Sequence, residues 1–349
     1  MPNAPLAGYA RALSAACLVA LAGPLAPEAH AQEVDDQEKL AQTTMKFLAV
    51  PADPRSAALG DALTSVTNGA HSMFTNPAGM AWQEGTTELH VGQAAWIADI
   101  DYNHASFAYR PSPSFGVIGV SLAFVEYGDF QETVYADNEQ GFEDIGDFSP
   151  QAFAVGVGYA RQFTDQFSAG GHVKYASMDF GNVATLRNDE AEGGLDREDV
   201  SQGVLAYDFG VFYRTGFESL NFALTARNFS QEVTFAQDGA QLPLALRIGV
   251  SMDVLDMTPM AGGPHSLLLA VDAENPRDFA EQVKVGAEYT FARTLSLRAG
   301  YVTPTDEQGI SLGGGVKSRL GGVGIGADYS FTDFGVFDAV HRVALNLSF

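Results

Sequence analysis

Apolar and polar residues alternate along most of this chain, from Thr86 to its last residue. The alternation is clearest in the last third, where residues 323–331 are a good example. One phase there holds Val323, Ile325, Ala327, Tyr329 and Phe331, and the other holds Gly324, Gly326, Asp328 and Ser330. Successive side chains of a β-strand point to opposite faces. The pattern therefore predicts strands with one apolar and one polar face.

About fourteen such segments are found, an even number, and each is long enough to cross a bilayer at a tilt. The predicted strands are 86–97, 101–111, 114–126, 151–163, 166–179, 203–214, 217–228, 242–255, 265–274, 281–291, 294–302, 309–317, 320–330 and 339–349. The chain is thus predicted to be all-β, an antiparallel transmembrane barrel.

Connection lengths separate a membrane barrel from a soluble β-sandwich, which would also alternate. Short links at 111–114, 164–166, 215–217, 292–294 and 318–321 take turns with longer ones at 127–150, 181–202, 229–241, 301–308 and 331–339. Outer-membrane barrels have short periplasmic turns and long extracellular loops. This rhythm predicts an outer-membrane location with both termini in the periplasm.

Charged and aromatic residues support the same choice. Eleven charged residues fall in the polar phase of their strands, which a barrel turns towards its lumen: Lys174, Arg214, Arg227, Arg247, Asp253, Asp272, Lys284, Glu288, Arg298, Asp328 and Arg342. Aromatic residues near strand ends would form an interfacial belt: Trp96, Tyr109, Tyr159, Tyr213, Tyr289, Tyr301, Tyr329 and Phe331. The chain ends on Phe349, which resembles the C-terminal assembly signal of outer-membrane proteins.

The N-terminus has the features of a secretory leader. Arg11 is followed by the apolar run 12–23, and Ala29-His30-Ala31 is a typical cleavage site. We therefore predict a signal peptide at 1–31, a periplasmic tail and lumen plug at 32–82, and the barrel at 83–349. The single cysteine, Cys17, lies in the leader. A lipoprotein anchor at Cys17 is disfavoured because the apolar run mostly follows it.

Residues 43–82 do not alternate and are predicted to fold into the lumen. Pro51 and Pro54 favour an extended start, residues 56–66 suit a short amphipathic helix, and residues 76–79 suit a turn. The alternative is an ordinary N-terminal helix docked on a domain surface.

Composition narrows the function. A net charge of −24 argues against nucleic acid as a partner, because phosphates would be repelled. A mean hydropathy of −0.01 is too polar for a helical membrane protein. The loop 126–147 carries eight acidic residues and no Lys or Arg. It could hold Ca²⁺, but it lacks EF-hand spacing, and a solvated extracellular loop is preferred.

No enzyme, cofactor or metal motif is predicted. Gly313-Gly314-Gly315 lacks the spacing of a phosphate loop, and the histidines show neither H-E-x-x-H spacing nor a close carboxylate in one strand phase. The sequence leaves open a Ser/His/carboxylate site assembled from different strands.

Three motifs carry a family resemblance: Phe47-Leu48-Ala49-Val50, the run Arg55-Ser56-Ala57-Ala58-Leu59-Gly60-Asp61-Ala62, and Ser72-Met73-Phe74-Thr75-Asn76-Pro77-Ala78-Gly79-Met80. Together they resemble the PorV/PorQ family, which belongs with the FadL-type outer-membrane barrels. The resemblance implies a fourteen-stranded barrel with a hatch in its lumen. The hatch residues it implies are Arg55, Ser56, Gly60, Asp61, Asn76, Pro77, Ala78 and Gly79.

Two functions follow from the resemblance. PorV-like proteins serve the type IX secretion system, which implies secretion subunits and cargo C-terminal domains as partners. FadL-like proteins instead pass hydrophobic small molecules inward. The secretion role is our first hypothesis, lipophilic transport is the alternative, and a purely structural barrel is the third. In each case the lipids and lipopolysaccharide of the outer membrane and the barrel assembly machinery are expected partners.

Overall fold

The alternating segments close into one antiparallel β-barrel in a computed structural model that describes residues 43–186, 195–235 and 238–349. The predicted leader, and the tail at 32–42, lie outside the described residues. The strands run in the order β1 (Thr87–Ala95), β2 (Asp101–Ser112), β3 (Gly116–Glu126), β4 (Phe130–Tyr135), β5 (Phe142–Phe148), β6 (Gln151–Gln162), β7 (Phe167–Leu186), β8 (Leu195–Arg214), β9 (Asn221–Ser230), β10 (Val233–Phe235), β11 (Asp238–Ala240), β12 (Ala245–Asp253), β13 (His265–Pro276), β14 (Gln282–Phe291), β15 (Leu295–Thr303), β16 (Ser311–Leu320), β17 (Val323–Phe334) and β18 (Phe337–Ser348).

Fourteen of these strands form the wall, and β1 closes it by pairing with both β2 and β18. The predicted fold class and strand number are confirmed. Strands β4–β5 and β10–β11 form two separate hairpins inside connections that were predicted as plain loops. Strands β7 and β8 also extend beyond the predicted 166–179 and 203–214. Their hydrogen-bonded pairing continues to Leu186 and Leu195, past the residues in which apolar and polar positions alternate.

The two faces of the wall have opposite chemistry. Outward side chains are apolar and exposed, as in Val157, Leu224 and Leu345, whereas most of the predicted lumen charges are buried. Such an outer surface suits the hydrocarbon of a bilayer. One aromatic departs from the predicted belt. Trp96 lies in the inward phase, where the Arg342 guanidinium carbon is 5.2 Å from its ring centroid.

Most links at one end of the barrel are shorter than those at the other, as predicted. The predicted long link at 331–339 is wrong, because β17 and β18 stay paired as far as Phe334 and Phe337 and leave a two-residue turn at 335–336. We call the end with links 113–115, 163–166, 292–294 and 321–322 the short-turn end, and the end with links 127–150, 231–244 and 277–281 the long-loop end. Phe349 lies at the short-turn end, where its carbonyl accepts the N–H of Thr86 at 2.7 Å.

The segment before β1 contains two short helices, α1 (Pro54–Ala58) and α2 (Ser72–Thr75), and the 3-10 turns Lys46–Ala49, Gly69–His71 and Pro77–Trp82. The predicted helix at 56–66 is wrong in length, because Gly60 and Asp61 both adopt positive φ and end it. The predicted turn at 76–79 is the start of a 3-10 helix that Asn76 caps.

Within the described residues, no helix is long and apolar enough to cross a membrane.

Candidate functional site: the lumen plug

Residues 43–83 pass through the barrel from one end to the other, and we call this segment the plug. It starts at the long-loop end, where Thr43 bridges Gln241 and donates to the Asp278 carboxylate. It finishes at the short-turn end, where Arg110 donates to the carbonyls of Ala81 and Gln83. The first described residue therefore lies at the barrel end opposite to Phe349, not at the end predicted for the tail.

The N-terminal part of the plug fills the lumen with apolar side chains. Met45, Phe47 and Leu48 are buried against inward residues of the wall, including Tyr102 and Val125. These contacts lie near the long-loop end, because Tyr102 and Val125 face each other next to the start of β2. The lumen is thus closed here by packing.

Arg55 joins helix α1 to the wall. Its guanidinium donates two hydrogen bonds to the Glu288 carboxylate, at 3.0 and 2.8 Å, and a third to the carbonyl of Thr67 at 2.9 Å. Glu288 also accepts from Arg298 at 2.5 Å, and Arg298 in turn donates to Asp328. A bidentate pair of this kind fixes orientation as well as position. Helix α1 is therefore held by an ionic chain across β14, β15 and β17.

The turn after α1 makes a second ionic anchor. The Asp61 carboxylate lies 2.7 Å from Arg247 and 2.9 Å from Lys284, and it accepts from the Ser56 hydroxyl. Arg247 and Lys284 thus place two cations beside the buried Asp61 carboxylate. Glu274 pairs with the same two cations. The plug charge is thus compensated by the wall.

The residue beside this anchor, Gly60, must be glycine for two reasons, its backbone conformation and the closeness of the wall. Its φ is +62°, and a Cβ there would lie 2.8 Å from the backbone nitrogen of Tyr301. On the wall side, a Cβ on Gly300 would lie 2.1 Å from the backbone nitrogen of Gly60. The plug and wall backbones therefore touch with no side chain between them.

Residues 76–79 attach the C-terminal part of the plug to the wall. Asn76 donates to the carbonyls of Thr64 and Val211, and its Oδ1 accepts the N–H of Ala78. The wall residues that contact this part of the plug most closely are glycines. A Cβ on Gly210 would meet Asn76 Oδ1, and one on Gly170 would lie 2.7 Å from both Pro77 C and Ala78 N.

Ser168 links this end of the plug to β7. Its hydroxyl donates to the Ala78 carbonyl at 3.0 Å and accepts from the Trp82 indole at 2.8 Å. Gly79 leaves room for the Ser72 hydroxyl, since a Cβ there would be 2.8 Å away. The structure thus brings all eight predicted hatch residues into the lumen.

One small cavity lies between the plug and the wall in the described part of the chain. A cavity of about 20 Å³ is lined by residues that include Val50, Phe74, Tyr102, His104 and Arg227. This volume holds one or two water molecules, whereas benzene occupies an engineered cavity of roughly 150 Å³. A hydrophobic ligand could therefore occupy this cavity only after the plug moved. A larger open groove of about 720 Å³ lies among Val91, Val316 and Leu345, whose side chains face outward.

Three buried histidines meet one carboxylate between plug and wall, which the sequence analysis missed. Asp53 and His71 come from the plug, and His90 and His104 come from β1 and β2; one ligand atom from each lies within 4.8 Å of the others. The available signal was that His90 and His104 share the inward phase of neighbouring strands. The spacing of residues along the sequence gave no sign that Asp53 and His71 of the plug would join them.

A Ser/His/Asp arrangement, left open by the sequence, is also present. Ser121 Oγ is 2.8 Å from His172 Nε2, and His172 Nδ1 is 2.9 Å from Asp208 Oδ2. All three residues are buried, and Lys174 makes two further hydrogen bonds to Asp208. Because all three side chains are buried, an acyl substrate cannot reach the serine from outside in this conformation.

The acidic loop is mostly a hairpin, β4–β5. Its Glu132 carboxylate pairs with Arg197 at 2.7 Å and accepts the N–H of Ala184. Among the described residues, the histidine group above gathers ligands for a metal, and no residue of 126–147 belongs to it.

Comparisons with known proteins identify the fold. No protein-family model matches the chain, and no curated protein matches it. Several solved structures do match. The Ralstonia pickettii toluene transporter TbuX has a TM-score of 0.58 at 15% identity, with 85% of this chain and 98% of that chain covered. The Pseudomonas putida toluene transporter TodX has a TM-score of 0.56 at 12% identity, with 84% and 96% covered. A Pseudomonas aeruginosa FadL homologue has a TM-score of 0.54 at 14% identity, with 85% and 98% covered.

The chain therefore has the fold of FadL-type barrels. At these identities the likeness establishes the fold and not the substrate.

Proposed function

We propose that this chain is an outer-membrane transporter for hydrophobic small molecules and that the plug is its gate. The observation that carries the proposal is a lumen filled from end to end by one segment, seated in a barrel of the fold that toluene transporters have. The long loops would be extracellular and the short turns periplasmic.

The contacts between the plug and the wall suit a segment that must leave the lumen and return to it. Its central contacts include ion pairs and hydrogen bonds to wall side chains, at Glu288, Arg247, Lys284 and Ser168. Water can replace such partners when the lumen hydrates, whereas a large apolar contact would lose its hydrophobic stabilisation. Apolar packing is present along the whole plug, at the long-loop end around Phe47, in the centre around Leu59 and Leu63, and at the short-turn end around Met73 and Met80.

A reversible lock tests the gate. Because the predicted mature chain has no cysteine, the double variant Thr64→Cys/Gly249→Cys would carry the sole pair. A Cβ on Gly249 would lie 2.8 Å from Thr64 Cβ, so a small outward shift reaches the spacing of roughly 3.8 Å that a disulfide needs.

Uptake of labelled toluene and of a labelled long-chain fatty acid is measured in cells that lack other such transporters. We expect the oxidised variant to lose uptake and the reduced variant to recover it. Equal uptake in both forms would refute a moving plug, and no uptake by the parent chain would refute transport of these compounds.

Protein secretion is the second candidate. The observation that favours it is the exposed β4–β5 hairpin, which presents Phe130, Tyr135 and Phe142 among carboxylates at the long-loop end and could bind an exported protein. Its test compares the surface proteomes of the parent cell and a gene deletion. Loss of proteins that share a C-terminal sorting domain would support it, and an unchanged surface proteome would refute it.

A further inference from the structure

We infer that Asp53, His71, His90 and His104 form a binding site for a divalent transition-metal ion, Zn²⁺ in particular, that fastens the plug to the wall. The inference goes beyond transport, because a plug can be a gate without a metal. It rests on the geometry, burial and surroundings of these four residues.

The four ligand atoms are close enough to share one ion. His90 Nε2 lies 3.0 Å from His104 Nε2 and 3.4 Å from Asp53 Oδ1, and His71 Nε2 lies 4.0 Å from Asp53 Oδ2. Tetrahedral Zn²⁺ with bonds of about 2.0–2.1 Å separates its ligand atoms by about 3.3 Å. Small side-chain rotations therefore bring all four atoms to coordination distance.

The ligand set is chemically suited to this ion. Three imidazoles and one carboxylate are nitrogen and oxygen donors that Zn²⁺ accepts, while Mg²⁺ and Ca²⁺ prefer oxygen alone. Each of the four residues is at most 5% exposed. Among the described residues, His71 Nδ1 and His104 Nδ1, the ring nitrogens opposite the Nε2 ligand atoms, have no hydrogen-bond partner.

The wall is shaped around the cluster. Gly92 lies opposite His104 in the β1–β2 ladder, and a Cβ at Gly92 would be 2.7 Å from His104 Nε2. The glycine thus lets the His104 ring lie across β1 beside His90. Asn346 Oδ1 accepts from His90 Nδ1 at 2.5 Å, which leaves His90 Nε2 free as a ligand. Hydrogen-bond partners of this type orient metal-binding histidines.

The two halves of the site belong to different parts of the molecule. Asp53 caps α1, accepting the N–H of Ser56 at 2.8 Å, and His71 ends a 3-10 turn of the plug. His90 and His104 belong to the wall. An ion bound by all four must lose ligands before the plug can leave, so bound Zn²⁺ would hold the gate shut.

The first test is the metal content of the full-length chain, purified in detergent, saturated with Zn²⁺ and dialysed. We expect about one Zn²⁺ per chain by mass spectrometry and, after exchange, the visible absorption of tetrahedral Co²⁺. Zinc well below stoichiometry together with an octahedral Co²⁺ spectrum would overturn the proposal.

Variants locate the site. Asp53→Asn keeps a capping side chain for α1 but removes the anionic ligand, so we expect at least tenfold weaker Zn²⁺ binding by chelator competition. His104→Gln should abolish stoichiometric binding, and Asn346→Ala should weaken it about 10- to 100-fold. His265→Ala is the matched control, since His265 is distant and bonds to Tyr289. Heat-modifiable migration verifies that each barrel is folded.

Conductance separates this inference from the gate itself. In planar bilayers, a chelator should raise the opening frequency of the parent chain and leave that of the folded His104→Gln variant unchanged. Stoichiometric Zn²⁺ with no effect of the chelator on the parent would overturn the fastening role. Failure of the disulfide lock to block uptake would instead refute the gate and leave the metal content as it is.

Discussion

Arg55→Ala should loosen the plug more than any other single truncation in α1. The side chain donates two hydrogen bonds to Glu288 and others to Thr67 and Asn68, and the two ionic side chains are only 12% and 9% exposed. Breaking a buried ion pair costs about 3–5 kcal/mol. Because Glu288 keeps Arg298 as a partner, we take the lower bound, about 3 kcal/mol. That free energy corresponds to roughly a 100-fold rise in the open-to-closed ratio of the plug.

Single-channel recording in planar bilayers measures this ratio directly. Arg55→Lys is the matched control, because it keeps the charge but cannot make the two-pronged contact, and its effect should be smaller. Unboiled electrophoresis verifies that both variants form closed barrels. An Arg55→Ala ratio within threefold of the parent would refute the view that this ion pair holds the plug.

Three further predictions follow from the same seat. Deleting residues 56–79 should raise single-channel conductance, and an unchanged conductance would show that the segment does not block the lumen. Gly300→Ala should destabilise the docked plug by about 1–3 kcal/mol through overpacking against the backbone of Leu59 and Gly60. Gly314→Ala is its control, because a Cβ there meets Ser296 O at 3.5 Å, and equal thermal unfolding midpoints for the two would contradict the prediction. Ser121 in the native barrel should resist labelling by a fluorophosphonate probe, and labelling that Ser121→Ala removes would reveal a working nucleophile.

The barrel could be predicted from the sequence because each wall strand repeats the same local rule. One face meets apolar surroundings and the other meets the lumen, so the period of two survives in every strand that spans the barrel. The rule fails where both faces of a strand lie outside the barrel. The paired ends of β7 and β8 and the β4–β5 hairpin are examples, and there the predicted boundaries were wrong.

The site was predictable only in part, for a different reason. The plug segment is recognisable by its lack of alternation and by its motifs, yet its partners are far away in sequence. Arg55 and Glu288 are 233 residues apart, and no local pattern pairs them. The same holds for the histidine group, which draws on the plug and on two strands. Contacts of this kind are set by how the plug threads the lumen and not by the composition of either segment.

The wall glycines connect the fold to the proposed function. Gly170, Gly210 and Gly300 lie where a Cβ would clash with the backbone or a side chain of the plug. The lumen surface is therefore complementary in shape to the plug. A wall that needed only to be filled could use larger side chains and bury more apolar surface. Instead it has glycine for close approach and charged groups such as Arg247 and Lys284 for the ionic contacts. This arrangement gives the plug one defined closed position and places ionic contacts beside the apolar ones at its centre. Water can replace those ionic partners when the plug leaves, which suits a gate that reopens.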